Sequence, residues 1–144
     1  MKGLEESLKQ NGIYVTTTKG NSMNPMLVEG RDRVVIVPPK FPLKKYDVPV
    51  YRKQEHYTMH RIVKVKKDGY IICGDNRISL EKDVKESDIV GVLEGFYQGD
   101  KYISAEDKEY LKYAEKTVKS LKWRRLKSIP RRAIRKLKRI VKGD

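Results

Sequence analysis

The sequence is poor in cysteine and histidine and has no long hydrophobic run. Its 144 residues include one cysteine, Cys73, which excludes an intramolecular disulfide framework and a zinc site built from several cysteines. The longest apolar run covers only residues 34–37, whereas a transmembrane helix needs roughly 18 apolar residues. Residues 1–6 also lack the basic-then-apolar pattern of a secretory signal. We therefore expect a soluble, cytoplasmic protein with no metal and no other cofactor.

Acidic residues are almost absent from the last part of the chain. Residues 120–144 contain five lysines and six arginines but only one acid, Asp144, and so carry +10 of the net charge of +14. The first 119 residues carry only +4 and are rich in β-branched side chains. We therefore divide the chain near Ser104. Residues 1–104 are expected to form a β-rich domain, and residues 105–144 a basic amphipathic helical tail, kinked or broken near Pro130.

Short β-branched and aromatic segments predict the fold of the first region. They cover residues 13–18, 33–37, 48–52, 57–66, 70–73, 89–97 and 101–104. Asp68-Gly69 and Gly99-Asp100 separate pairs of these segments and favour hairpin turns. The expected fold class is mainly β: an antiparallel, barrel-like core followed by the helical tail.

Ser22 is the first candidate for chemistry. It follows the first predicted strand, in an irregular segment that contains Pro25, where a serine is either a turn former or a hydroxyl presented to a substrate. A serine attacks a carbonyl only when a neighbouring base takes its proton. An ordinary histidine pKa suits this role near neutral pH. Of the two histidines, His60, within the predicted strand 57–66, is the better candidate base. A strand histidine is also often purely structural, and His56 is expected to lie exposed in a loop.

Several motifs, taken in order, resemble the superfamily of type I signal peptidases and LexA-like serine peptidases. They are Ser22-Met23-Asn24-Pro25-Met26-Leu27, Asp47-Val48-Pro49-Val50-Tyr51, Met59-His60-Arg61-Ile62-Val63, Gly74-Asp75-Asn76 and Ile89-Val90-Gly91-Val92. The resemblance spans roughly residues 13–97 and implies a signal-peptidase-like antiparallel β core with Ser22 as nucleophile. His60 stands where the bacterial members have lysine, so the resemblance is to the Ser-His variant of archaeal and endoplasmic-reticulum signal peptidases.

The same resemblance implies the remaining parts of a catalytic site. An acid that orients the histidine is expected at Asp75, with Asp83 as the alternative, although Asp75 could equally only cap a turn. The backbone N–H of Ser22 would bind the oxyanion, with a second donor from Asn21 or Gly20. Gly20 stands where the lysine-dependent enzymes have a hydroxyl residue, so that hydroxyl donor is absent.

The function expected from these residues is that of a serine endopeptidase, which cleaves a leader, precursor or signal-type peptide through a Ser22–His60 dyad. The alternative is a catalytically silent binding module on the same fold, or a LexA-like regulator, that acts through its basic tail.

The tail has three expected roles. Residues 120–142 place apolar side chains, including Trp123, among cations, which suits peripheral contact with an anionic membrane or docking on a partner. The helix could also simply pack on the β core. Nucleic acid is the least expected partner, although the cations could contact phosphates.

Overall fold

The computed structural model describes residues 3–141, except for the side chains of residues 131, 132 and 134. The helices in this range are α1 (Gly3–Asn11), α2 (Lys108–Lys127) and α3 (Arg131–Val141). The strands are β1 (Tyr14–Thr17), β2 (Asp32–Val37), β3 (Pro49–Lys53), β4 (His56–Met59), β5 (Arg61–Lys66), β6 (Gly69–Cys73), β7 (Glu81–Val84), β8 (Ile89–Gln98) and β9 (Lys101–Ser104). A 3₁₀ turn, Glu86–Asp88, leads into β8.

The strands form two sheets in which each described pair is antiparallel. The larger sheet has the order β1-β2-β8-β3-β4, and β9 pairs with β8 beside it. The smaller sheet has the order β5-β6-β7. The long central strand β8 pairs with β2, β3 and β9, so it holds the larger sheet together. β1 and β4 lie at the two ends of the larger sheet, and each pairs with one neighbouring strand in the described structure.

Two buried clusters form the interior. The first joins α1, residues 22–27 (the serine segment), the larger sheet and α2; its members include Leu4, Leu8, Met23, Met26, Leu27, Val34, Ile36, Phe96 and Tyr110. The second lies on the smaller sheet and contains Leu43, Tyr51, Ile62, Tyr70, Ile72, Val84 and Ile89. Because the serine segment supplies three side chains to the first cluster, packing fixes its backbone against the β core.

The expected antiparallel β core with a C-terminal helix is confirmed, but "mainly β" is too narrow a description. The fold is mixed α/β, because α2 is a long helix whose Tyr110, Ala114 and Leu121 are buried. The carboxylate of Asp107 caps its first turn by accepting from the N–H of Tyr110 at 2.9 Å. The division near Ser104 falls between β9 and α2, yet α2 packs into the same interior as the strands.

Residues 57–66 do not form the single strand that the sequence predicted. β4 ends at Met59, which pairs with Val50 in the larger sheet, and β5 begins at Arg61, which pairs with Cys73 in the smaller one. The chain therefore changes sheets at His60. A continuous run of strand-forming residues is compatible with either arrangement, so periodicity alone could not locate this change.

The chain turns again near Pro130. α2 ends at Lys127 and α3 begins at Arg131, directly after the proline. The N–H of Ala133 donates to the carbonyl of Pro130 at 2.9 Å. The N–H groups at the start of a helix have no partner within the helix, so proline, which lacks an N–H, is tolerated here. Among the described residues, none of the helices combines the length and the apolar character needed to cross a bilayer.

Candidate functional site

A cavity of about 500 Å³ lies between the edge strands β1 and β4, and both Ser22 and His60 line it. Residues 16–20 form one wall and residues 55–60 the other. The floor is apolar and consists of Met23, Leu27, Val34, Ile36 and Val50. The structure therefore brings the candidate nucleophile and the candidate base to one site, although 37 positions separate them in the sequence.

Local turns hold Ser22 at the rim of this cavity. Gly20 has a φ of 78°, which glycine adopts without steric cost, and the chain then turns back through a bond from Asn24 N–H to the Asn21 carbonyl at 3.2 Å. Met23 is buried directly behind the serine, whereas Ser22 itself is half-buried. The buried neighbour anchors the turn and leaves the serine side chain at the surface of the cavity.

The Gly74-Asp75-Asn76 segment packs directly against the serine segment. The N–H of Asn76 donates to the Ser22 carbonyl at 2.8 Å, and the Asn76 side chain donates to the Asn21 carbonyl at 3.0 Å. A Cβ at Gly74 would lie 2.8 Å from the Ser22 carbonyl oxygen and 3.2 Å from His60 Cδ2. Glycine is required here because both residues approach the same point on its backbone.

His60 is held by a carboxylate on its other side. Its Nδ1 lies 3.2 Å from Glu81 Oε1 and 3.3 Å from the hydroxyl of Tyr51, which itself donates to the same Glu81 oxygen at 2.8 Å. With the Nδ1–H directed to Glu81, the lone pair of the neutral ring is on Nε2. Cδ2, which faces Gly74, is bonded to Nε2, so this edge of the ring is turned towards the serine segment.

Burial and charge set the protonation of this cluster. Burial lowers the pKa of His60 below its ordinary value, although the neighbouring carboxylate of Glu81 acts in the opposite direction. His60 is therefore neutral at neutral pH, as a general base must be. Burial and the contact with Glu81 both raise the pKa of Tyr51, so its hydroxyl stays protonated and continues to donate.

No hydrogen bond joins the Ser22 hydroxyl to His60 in the part of the chain that the structure describes. The Ser22 carbonyl oxygen and the His60 ring both approach Gly74. Hydrogen bonds between a nucleophile and its base are often long or open until a substrate binds. Ser22 and His60 are thus neighbours, but the hydrogen bond between the serine hydroxyl and the imidazole is not formed.

The prediction that Asp75 orients His60 is wrong. The Asp75 carboxylate accepts from Arg61 Nε at 2.8 Å and Nη2 at 2.9 Å, and from the Tyr113 hydroxyl at 2.9 Å. The side chains of Arg61 and Asp75 are each only 1% exposed. Arg61 also donates to the Tyr110 hydroxyl at 2.9 Å, so this network ties the Gly-Asp-Asn segment to α2. The Asp75 carboxylate therefore binds Arg61 and Tyr113 and does not contact the histidine.

The alternative, Asp83, is also not the partner of His60. It lies exposed on β7, two residues beyond Glu81. Sequence reasoning looked on the correct side of the Gly-Asp-Asn motif but missed Glu81, because β7 was not predicted. The register of the small sheet places the acid: Ile62 pairs with Ile72, which pairs with Glu81, so Glu81 is brought across the sheet towards His60.

The three candidate oxyanion donors, in Ser22, Asn21 and Gly20, differ in what they already bind. The N–H of Ser22 donates to no acceptor in the described structure, whereas that of Gly20 donates to Glu29 Oε2 at 3.0 Å. The Asn21 side-chain oxygen accepts from Arg77 at 2.7 Å, which fixes the amide. Thr18 Oγ1 is buried in the same wall, without a hydrogen-bond partner. The Ser22 N–H is therefore the donor best placed to accept a new partner.

Cys73 is buried beside this site. Its Sγ lies 3.4 Å from the carbonyl oxygens of Gly74 and Arg77, and burial raises the pKa of the thiol. Both features keep it in the unreactive, protonated form. In the described residues, no group of histidine, cysteine, aspartate or glutamate side chains is arranged to hold a metal ion.

No protein-family model matches the chain, and no curated protein is significantly similar to it. The resemblance to signal peptidases therefore depends on the motifs quoted above, and it remains a prediction.

Proposed function

We propose that this chain is a serine endopeptidase with a signal-peptidase-like fold, in which Ser22, His60 and Glu81 act together. One observation carries the proposal. The Nδ1 atom of His60 contacts the Glu81 carboxylate, and the opposite edge of the ring, at Cδ2, approaches Gly74 beside the Ser22 carbonyl oxygen. An acid, a histidine and a serine in this order are the arrangement that activates a hydroxyl in unrelated serine peptidases.

The geometry supports the usual two-step acyl transfer. His60 Nε2 takes the proton of the Ser22 hydroxyl as Oγ attacks the peptide carbonyl, and the Ser22 N–H stabilises the oxyanion. The imidazolium then gives its proton to the leaving amine, and a water molecule releases the acyl group by the same route. Glu81 holds the ring and stabilises its positive charge, without itself taking a proton.

Substrate binding would complete the site. We infer that a rotation of the Ser22 side chain turns its hydroxyl towards the ring, since the backbone of Ser22 is already fixed next to Gly74. We propose that an occupied cavity favours this rotamer by excluding water from the serine.

The cavity suits an extended polypeptide. It runs between β1 and β4, the outermost strands of the larger sheet, and an extended peptide can add to such a sheet edge through backbone hydrogen bonds. Its apolar floor favours small or apolar side chains next to the cleaved bond, which agrees with the leader or signal-type peptides expected from the resemblance.

The test is cleavage by the purified protein and its variants. A library of extended peptides, analysed by mass spectrometry, identifies a cleaved bond, and Ser22→Ala and His60→Ala should each abolish its cleavage. His56→Ala is the matched control, because His56 is an exposed histidine in the same wall of the cavity as His60. Full activity in both Ser22→Ala and His60→Ala would exclude the mechanism.

The open contact between Ser22 and His60 favours one other candidate, a catalytically silent module that only binds an extended peptide. This candidate predicts that wild type and Ser22→Ala bind peptides with equal affinity and that neither cleaves them. Cleavage that depends on Ser22 excludes it.

A further inference from the structure

The end of α2 and the second half of α3 expose large apolar side chains to solvent. Trp123 is 66% exposed and Ile140 is 67% exposed, and their neighbours Leu126, Leu137 and Val141 are exposed as well. Side chains of this size in solvent are costly when they occur together, and such patches commonly mark contact surfaces. We call these five residues, with the cations between them, the tail surface.

The charge of the tail surface has one sign. Residues 116–143 contain no acid, and α3 alone carries Arg135, Lys136, Lys138 and Arg139. On this helix, Leu137, Ile140 and Val141 are three and four positions apart and share one face, while the four cations occupy the rest of the circumference. The helix is therefore apolar on one side and basic on the other.

A groove extends the tail surface onto the body of the protein. It has a volume of about 650 Å³ and is lined by Ile78, Leu80, Leu126 and Ile129, with Lys82, Lys122 and Arg125 among its cations. The end of α2 is fixed there, because Arg124 and Arg125 donate to the carbonyls of Arg77 and Ile78, each at 2.7 Å. The groove thus repeats the chemistry of α3, with an apolar lining and cations around it.

We propose that the tail surface docks on an anionic lipid bilayer, with α3 lying in the plane of the interface. Apolar side chains enter the acyl region while lysine and arginine extend to the phosphates, which is how basic amphipathic helices bind membranes. A second copy of the chain would bring two strongly positive surfaces together, which like charges oppose. A nucleic acid would use the cations but leave the apolar face in water.

Trp123 makes the proposal directly measurable, because it is the only tryptophan in the chain. The full-length protein is mixed with vesicles of phosphatidylcholine alone, or of phosphatidylcholine with about 30% phosphatidylglycerol. The anionic vesicles should shift the tryptophan emission to shorter wavelength and carry the protein upwards in a flotation gradient. Neutral vesicles should do neither, and salt should weaken the binding. Equal binding to both kinds of vesicle, or no binding to either, overturns the proposal.

Two variants separate the apolar and the electrostatic contributions. Leu137→Ser combined with Ile140→Ser should remove the emission shift, and both positions are exposed and outside the two buried clusters. Lys136→Gln, Lys138→Gln and Arg139→Gln together should weaken binding about a hundredfold, since each cation near an anionic surface contributes about fivefold.

The matched control removes the same charge elsewhere. Lys64, Lys66 and Lys67 are exposed at the β5–β6 hairpin, and their replacement by glutamine should change vesicle affinity less than about threefold. An equal loss in this control would assign the binding to net charge alone and overturn the proposal. Two other outcomes would also overturn it, in each case if the protein does not bind vesicles. One is binding to an RNA or DNA duplex that is retained after Leu137→Ser with Ile140→Ser. The other is self-association that this pair of substitutions abolishes. The docking does not depend on peptidase activity, so Ser22→Ala should bind like the wild type.

Discussion

Two consecutive residues, His60 and Arg61, each hold a carboxylate, and the two pairs differ in almost every physical respect. The side chains of Arg61 and Asp75 are each 1% exposed, and two hydrogen bonds join them. The side chains of His60 and Glu81 are 15% and 21% exposed, and His60 lines the cavity. The first pair is fully satisfied, since Tyr110 and Tyr113 complete its hydrogen bonds. In the second, the described residues provide hydrogen-bond partners only for Nδ1 of the histidine.

This difference separates a structural pair from one that can do chemistry. A buried ion pair with every hydrogen bond made is a structural element, because removal of either partner would leave the other charge buried and unpaired at a large cost. A partly exposed histidine, whose pKa is lowered by burial and supported by a carboxylate, can gain and lose a proton. The sheet change between β4 and β5 directs the two neighbouring side chains to these different surroundings.

Replacement of the acid in the His60–Glu81 pair should have the largest effect on activity. Glu81→Gln keeps the shape of the side chain but removes the negative charge that stabilises the imidazolium, so kcat/KM should fall roughly 10²- to 10⁴-fold. The free energy of unfolding should change by only about 1 kcal/mol. Peptide cleavage and chemical denaturation measure the two quantities.

Asp83→Asn is the matched control for that variant, because it removes an acid from the same strand at an exposed position. It should leave cleavage unchanged. A comparable loss in Asp83→Asn, or full activity in Glu81→Gln, would mean that Glu81 is not the orienting acid.

The buried pair should respond in stability. Asp75→Asn leaves the Arg61 guanidinium buried without a counter-charge, which should reduce the free energy of unfolding by about 3–5 kcal/mol. Urea denaturation followed by circular dichroism measures this loss, and Asp83→Asn should lie within about 0.5 kcal/mol of the wild type. A fully stable Asp75→Asn protein with reduced cleavage would assign Asp75 to the reaction and reverse the comparison.

A methyl group between the two halves of the site should have a smaller effect. In Gly74→Ala the new Cβ would lie 2.8 Å from the Ser22 carbonyl oxygen, so the backbone must shift, at a cost of about 1–3 kcal/mol. A displacement of the serine from His60 should reduce kcat by about a hundredfold in the protein that remains folded.

Gly3→Ala provides the control, since the nearest atoms to a Cβ there are 3.9 Å away. It should leave both stability and cleavage unchanged. If Gly74→Ala behaved in the same way, close approach at Gly74 could not be what sets the position of Ser22.

The sequence allowed some of this site to be predicted and not the rest, for identifiable reasons. Ser22 and His60 could be named because each stands in a motif with its own local pattern. Asp75 was given the wrong partner because its binding to Arg61 and Tyr113 depends on the packing of α2, which no local pattern encodes. Glu81 was missed because the short strand β7 has only one buried side chain, Val84, and so lacks the periodicity of a strand.

The fold was predictable to a similar extent. Hairpins marked by Asp68-Gly69 and Gly99-Asp100 were found from turn chemistry, and the structure contains both. The change of sheet at His60 was not predictable, since both arrangements satisfy the same local preference for extended backbone. That change is decided by long-range pairing with β3 on one side and β6 on the other.

The dependence of kcat/KM on pH, measured for the wild type and for His60→Ala, tests most directly whether His60 is the base. The base acts only when neutral, and burial holds the pKa of His60 below its ordinary value of about 6.5. Activity should therefore rise with pH through an apparent pKa below about 6.5 and stay level above it, and His60→Ala should show no such rise. Activity that appears only above about pH 8, as for a lysine base, or that persists in His60→Ala, would contradict the assignment.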